Sequence, residues 1–451
     1  MDSSEDLTWP FGTDEAQYSA LQIVRGRPAR PHPSNKDGSW GGRRPNEFPA
    51  LEDGDHMPAG LISARETRDR LPSLTGLRFW AALAVVLYHL SRQTGQLPWI
   101  SDLTWYGRSG VTFFFVLSGF VLAWTYDGKA VPPSVFFWRR FARIWPLLAV
   151  SVIASVAVWR VMGTEVSLRG VVATLGLVNS WTPEHQYLVG GNPAAWSLSD
   201  EAWFYLLFPL VMLLPLLRSA RGRTWCAIGL CAASVAVWAS GALFDDPAIR
   251  LWALDYFPPT RTLQFVLGVV LGLAVKRGWR PPVRLPVAIA LVLAGHIALI
   301  PWSRAVPDGF WYSPYSASHL LSAPLFALLV AAAATADLEG RRTGLGSSWM
   351  IRLGHWSFAW YLFHEIVIRA LVGHLGRPET QAGTLKIWLL ALGISLVVAA
   401  MAYEWVEHPL ERLLRRLGPG GGTGSRRSAR RSRRETLQPA ASSPAPPTGE
   451  K

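Results

Sequence analysis

Apolar stretches long enough to cross a hydrocarbon layer about 30 Å thick recur along this chain from residue 73 to residue 404, and nothing constrains its fold more. Backbone polar groups find no water inside a bilayer, so a spanning segment must be a helix or a strand of a closed barrel. The runs are continuous rather than alternating, and each covers roughly 16 to 20 residues, which predicts helices. Of the 451 residues, 50% are hydrophobic and only 17% charged, a membrane composition rather than a soluble one. Trp and Tyr gather near the ends of the runs as interfacial anchors. The expected spans are 73–91, 109–126, 144–160, 199–217, 224–242, 260–275, 285–301, 319–336, 355–373 and 385–404. The fold class is therefore all-α, a polytopic membrane bundle of about ten transmembrane helices.

Residues 1–70 and 417–451 are poor in apolar residues and rich in Pro, Gly, Ser and Arg, which predicts disordered tails on either side of a membrane domain at 71–416. No short apolar signal peptide opens the chain, so the first span acts as the targeting element. The segment 168–180 is an eleventh candidate, and the positive-inside rule decides against it. Without it, the loops holding Lys129, Arg139, Arg140 and Arg143, then Arg218, Arg221 and Arg223, then Lys276, Arg277, Arg280 and Arg284, then Arg341, Arg342 and Arg352 all face one side together with both tails. That side is expected to be the cytoplasm, with 160–198 an outer loop or re-entrant element of a multi-pass protein of the inner or plasma membrane.

Two cysteines, Cys226 and Cys231, share one apolar run, and their number and spacing exclude a disulfide framework and a CxxC metal site. No metal ligand set is expected. The net charge of +13 sits in short loops and in the tail RRSARRSRR. Topology and contact with anionic lipid account for that charge better than nucleic acid does.

Within the first span, TGLRFWAALAVVLYHL, Arg78 and His89 are ionisable groups at membrane depth. Eleven residues at about 100° each bring them to within roughly 20° of one helix face, about 16 Å apart in depth. Arg78 falls toward the cytoplasmic end and His89 toward the outer one. Snorkelling to the headgroups is the plain alternative for both. Arg140 and Arg143, in FFWRRFARIWP, are three residues apart on one face, a compact cationic patch at the cytoplasmic mouth of the third span. Guanidinium groups pair with phosphate in bidentate geometry, so this patch suits a phosphorylated ligand such as coenzyme A, ordinary positive-inside charge being the alternative. In GRSGVTFFFVLSGFVLAW, Gly107, Gly110 and Gly119 permit close helix packing and Ser118 can hydrogen-bond across helices. Ser118 and Gly119 are the donor-contact candidates of that segment.

In WSLSDEAWFYLLFPL, Glu201 is expected to open the fourth helix at its outer end, level with His89, with Tyr205 one turn on. A neutral histidine there acts as general base toward a hydroxyl, with a carboxylate to orient it, which makes His89 and Glu201 the catalytic candidates. A carboxylate that merely complements the helix dipole is the alternative. The ninth span carries LGHWSFAWYLFHEIVI, with Tyr361 and His364 as site-lining candidates and Glu365 as a structural polar contact. YEWVEHPLERLLRR reads as an interfacial stop and is assigned no chemistry.

Together these segments resemble the acyltransferase-3 family of integral-membrane acyltransferases. TGLRFWAALAVVLYH with its R-x10-H spacing, FFFVLSGFVL, RRFARIWP, WSLSDEAWFY, GHWSFAWYLFH and EWVEHPLER follow one another in the family's order over about residues 70–415. The resemblance implies ten core helices and transfer of an acyl group, often acetyl, from cytoplasmic acyl-CoA to a hydroxyl on a sugar or other acceptor. Acyl-CoA is then a donor substrate and not a resident cofactor. It also implies that Arg78 and His89 are essential and that Arg140 and Arg143 help bind the donor. Some relatives carry an extracytoplasmic esterase-like domain after the helices. This chain has a basic tail there, so transfer is expected to finish within the membrane domain or on a partner.

The rival class is a proton-coupled transporter or flippase, in which buried His and Glu relay protons and the arginines recognise an anion. Such transporters show internal repeats and interrupted helices. No repeat is visible, and the signature residues cluster in the first half. A scaffold would not need charge at membrane depth. The Pro, Gly, Arg and Ala richness fits a high-GC bacterial genome, and the expected acceptor is a glycan, a sugar or a natural product such as a macrolide.

Overall fold

The computed structural model describes residues 71–419 apart from positions 96, 99 and 306–313; the two expected disordered tails thus lie almost wholly outside the described residues. Among the described residues there are helices and no strand. The principal helices are α1 (Pro72–Thr94), α2 (Gly110–Tyr126), α3 (Pro133–Val161), α4 (Trp196–Met212), α5 (Ala220–Ala239), α6 (Pro258–Lys276), α7 (Leu285–Ala305), α8 (Ala323–Leu338), α9 (Ser348–Leu375), α10 (Gln381–Ala402) and a short C-terminal α11 (His408–Leu417). Local chemistry marks their starts. Prolines stand in the first turns of α1, α3, α6 and α8, and the side chains of Ser219, Ser347 and Thr380 accept backbone N–H groups at the starts of α5, α9 and α10.

Among the described residues eight helical segments are long and apolar enough to cross a membrane, and each answers to one of the ten expected spans. The remaining two spans are helices as well. α4 has only 17 residues, and α9 dilutes its apolar run with Arg352, His355, His364, Glu365 and Arg369. The protein is a polytopic helical membrane protein. Residues 168–180 do not cross: the helix Leu168–Leu175 has eight residues, about 12 Å, and the following segment folds back into the bundle. There, buried Asn192 donates to the Leu362 carbonyl (2.9 Å) and to Ser151 Oγ (3.0 Å).

Long-range polar contacts define two ends. At one, Ser73 Oγ donates to Asp337 (2.6 Å), Lys276 Nζ donates to the carbonyls of Trp124 and Asp127, Arg277 donates to Leu217 O, and Trp138 donates to Leu414 O. The basic loops of the sequence gather here. At the other end Arg304 pairs with Asp102 (2.6 Å), Trp388 donates to Thr94, and Trp252 donates to Ser180 O.

α2 and α6 cross with their backbones in contact. A Cβ on Gly119 would strike the Phe265 carbonyl, and one on Gly268 would strike the Val116 carbonyl, so both positions need glycine for backbones to touch. Gly107 and Gly110 similarly face the carbonyls of Ala84 and Ala81 on α1. α1 packs against α9 on another side, where Phe79 and Trp360 stack at 5.5 Å.

Candidate active site

The helical geometry of α1 holds Arg78 and His89 on one side of a continuous helix, and each meets a different set of partners. His89 faces α9. Its Nδ1 lies 3.8 Å from Glu365 Oε2, and its ring centroid lies 5.0 Å from that of His364. Glu365 is 2% exposed, yet it is anchored: Arg369, one turn further along α9, donates to Oε1 from Nε (3.0 Å) and Nη2 (2.6 Å), and Gln93, one turn beyond His89, approaches the same oxygen at 3.3 Å. Oε2 takes no hydrogen bond and is turned toward the His89 ring.

His364 is fully buried, and its Nδ1 lies 2.7 Å from the Tyr361 carbonyl. A carbonyl only accepts, so Nδ1 carries the proton and Nε2, which has no partner, carries the lone pair. Tyr361 itself shares a 2.8 Å hydrogen bond with Ser197 at the start of α4. The ligating atoms of His89, His364 and Glu365 lie within 4.8 Å of one another, close enough to hold a cation. Arg369 already places a positive charge on Glu365, which weakens any such use.

Arg78 belongs to a second group nearer the basic end, within electrostatic reach of Arg143, Glu407, Glu201 and Tyr205. Glu201 accepts from Tyr205 OH and from Ser118 Oγ (3.3 Å). This differs from the sequence expectation, which has Glu201 open the helix at its outer end as the carboxylate that orients His89. α4 begins at Trp196, directly after the turn Pro193–Ala195, so Glu201 lies more than a turn inside it and meets the middle of α2. The carboxylate facing His89 is Glu365. Its sequence signal is the His-Glu pair followed by Arg369 at i+4.

Two further expectations change. Gly119 lies against the α6 backbone, where an added Cβ would strike the Phe265 carbonyl, so its visible role is helix packing. Arg140 and Arg143 do not form a bare cationic patch: the Arg140 guanidinium lies 5.7 Å from the centre of the Tyr205 ring, and Arg143 pairs with Glu407 and with Glu411 (3.3 Å). The cause is a π-helical turn, Tyr403–Glu407, which continues α10 and carries Glu407 beneath Arg143. The segment read as a simple interfacial stop thus contributes two carboxylates.

Sequence reasoning also missed a buried ionic cluster on the far side of α2. Arg108 pairs with Asp255 at 3.0 Å, and fully buried Arg261 contacts Thr112 Oγ1 and His319 Nδ1, both at 3.3 Å. Arg261 sits in the first turn of α6, where it reads as an ordinary interfacial anchor.

The family model of the acyltransferase domain (Acyl_transf_3) matches residues 71–404, which is the described bundle up to the π-turn. The chain belongs to the acyltransferase-3 family. It is 38% identical over 379 residues to acyltransferase MdmB of Streptomyces mycarofaciens, covering 78% of this chain and 94% of that protein. To the exopolysaccharide production protein ExoZ of Rhizobium meliloti it is 27% identical over 337 residues, 72% of this chain and 95% of the relative. The peptidoglycan O-acetyltransferase OatA of Listeria monocytogenes is 25% identical over 377 residues, 78% of this chain but 57% of OatA. No solved structure matches. This acyltransferase-3 protein is accordingly an enzyme that transfers acyl groups, and the transporter alternative is set aside.

Proposed function

We propose that this protein is an O-acyltransferase that takes an acyl group, acetyl in the simplest case, from acyl-CoA at the basic end and passes it to a hydroxyl of a glycan, sugar or natural product. The observation that carries the reading is the placement of His89 on α1 against the Glu365 carboxylate and the His364 ring of α9, with Arg78 about three helical turns away. The basic end is read as cytoplasmic, the compartment that supplies acyl-CoA. Arg78, Arg140 and Arg143 would receive its phosphates, leaving the acyl thioester to reach toward His89 along α1.

Glu365 holds the Nδ1 side of His89 and favours the proton there, so Nε2 is the base. His89 removes the acceptor hydroxyl's proton as that oxygen attacks the thioester carbonyl carbon. The new C–O bond forms, the C–S bond breaks, and the proton passes from His89 to the departing sulfur, giving ester and free thiol. Imidazolium formed in transit is stabilised by Glu365. Tyr361 and Ser197 border the same space and are assigned to orienting the acceptor. Glu201, with Tyr205 and Ser118, is assigned to the donor side.

The decisive experiment supplies acetyl-labelled acetyl-CoA to membranes containing the protein together with extracted surface glycans and secreted metabolites. Label should appear on an acceptor, and His89→Ala should reduce it by a factor of about 10² to 10⁴ while the variant still inserts. Undiminished labelling by His89→Ala would overturn the assignment.

A further inference from the structure

The donor reading above places coenzyme A phosphates on Arg143, and the inference that follows rests on it. Arg143 Nη1 already meets two carboxylates, and these differ in character. Glu407 is 2% exposed and sits in the π-turn, which is held by a stack of His355 on Tyr403 (5.8 Å, 17°) and of Tyr403 on His408 (5.5 Å, 13°). It cannot leave without rearranging that turn. Glu411 lies one turn further on, in α11, with its side chain 17% exposed and 3.3 Å from Arg143. It has a second partner of its own: Arg415, at i+4 on the same helix, engages its other oxygen.

We propose that Glu411 is a displaceable stand-in for a donor phosphate, and that Glu407 is the positioning residue that keeps Arg143 aimed. A phosphate is a stronger bidentate partner for guanidinium than a partly exposed carboxylate, so it wins the exchange. The exchange is cheap because the released Glu411 keeps Arg415. Trp138, on the same helix as Arg143, donates to the Leu414 carbonyl at 2.7 Å and holds α11 in place while the side chain swings. The C-terminal helix therefore sets donor affinity without touching the acyl group.

Binding of coenzyme A to the purified full-length protein, measured by titration calorimetry, tests this. Glu411→Gln removes the competitor and should tighten binding about threefold at low salt, with the gain shrinking as salt rises. Arg415→Gln leaves Glu411 with Arg143 alone and should weaken binding about twofold. Arg140→Ala serves as the control for the donor site itself. If Arg140→Ala weakens binding while neither α11 variant moves it in the stated direction, the exchange is wrong and the donor reading stands. If coenzyme A does not bind the wild-type protein, or Arg140→Ala leaves binding unchanged, the donor reading falls and takes the inference with it.

Discussion

Glu365 is the residue whose role changes most between sequence and structure. Beside His364 in FHEIVI it looks like a structural polar contact, but its free oxygen faces His89 and its other oxygen is held by Arg369 and Gln93. In the proposed mechanism a carboxylate in that position sets tautomer and ring orientation rather than binding substrate. Glu365→Gln keeps the shape and removes the charge. Acyl transfer by that variant should fall by a factor of about 10² or more in kcat, with little change in KM for acyl-CoA, in steady-state assays on membranes. A rise in KM for acyl-CoA would instead mean that Glu365 contacts the donor. Glu201 follows the opposite course: its hydrogen bonds to Ser118 and Tyr205 tie it to the arginine group.

At the scale of elements, glycine decides how the bundle closes. α2 and α6 touch through Gly119 and Gly268, and an added methyl at either meets backbone, which cannot rotate aside. Gly119→Ala should therefore cost about 1–3 kcal/mol and lower the thermal unfolding temperature in detergent, whereas a donor-contact role would raise KM and leave stability unchanged. The glycine pattern was legible as packing in the sequence, but its partner helix was not, because α6 follows α2 by more than a hundred residues. The π-turn at Tyr403–Glu407 was invisible for a different reason. It inserts no marker residue, and only the placement of Glu407 under Arg143 reveals what it does.

For the whole molecule, the basic loops share one end of the bundle, and the proposed function takes that end as the cytoplasmic one on the positive-inside rule. In a background lacking Cys226 and Cys231, single cysteines at Lys129 and Arg342 should be protected from a membrane-impermeant thiol reagent in intact cells. A cysteine at Thr164, at the opposite end of α3, should react; the reverse pattern would invert the assigned topology and the donor side with it. All three positions are exposed. The sequence by itself determined the helical membrane class, the span positions, the short segment that fails to cross and the family. These depend on hydropathy, length and ordered motifs, which are local properties of the chain. Only the tertiary structure decided which acid faces His89, that Glu201 joins the arginines, and that Glu407 and Glu411 occupy Arg143. Pairings between side chains on α1 and α9, or on α3 and α11, depend on how helices distant in sequence rotate against one another. That rotation is set by close packing such as Gly119 on Phe265, which no local pattern encodes.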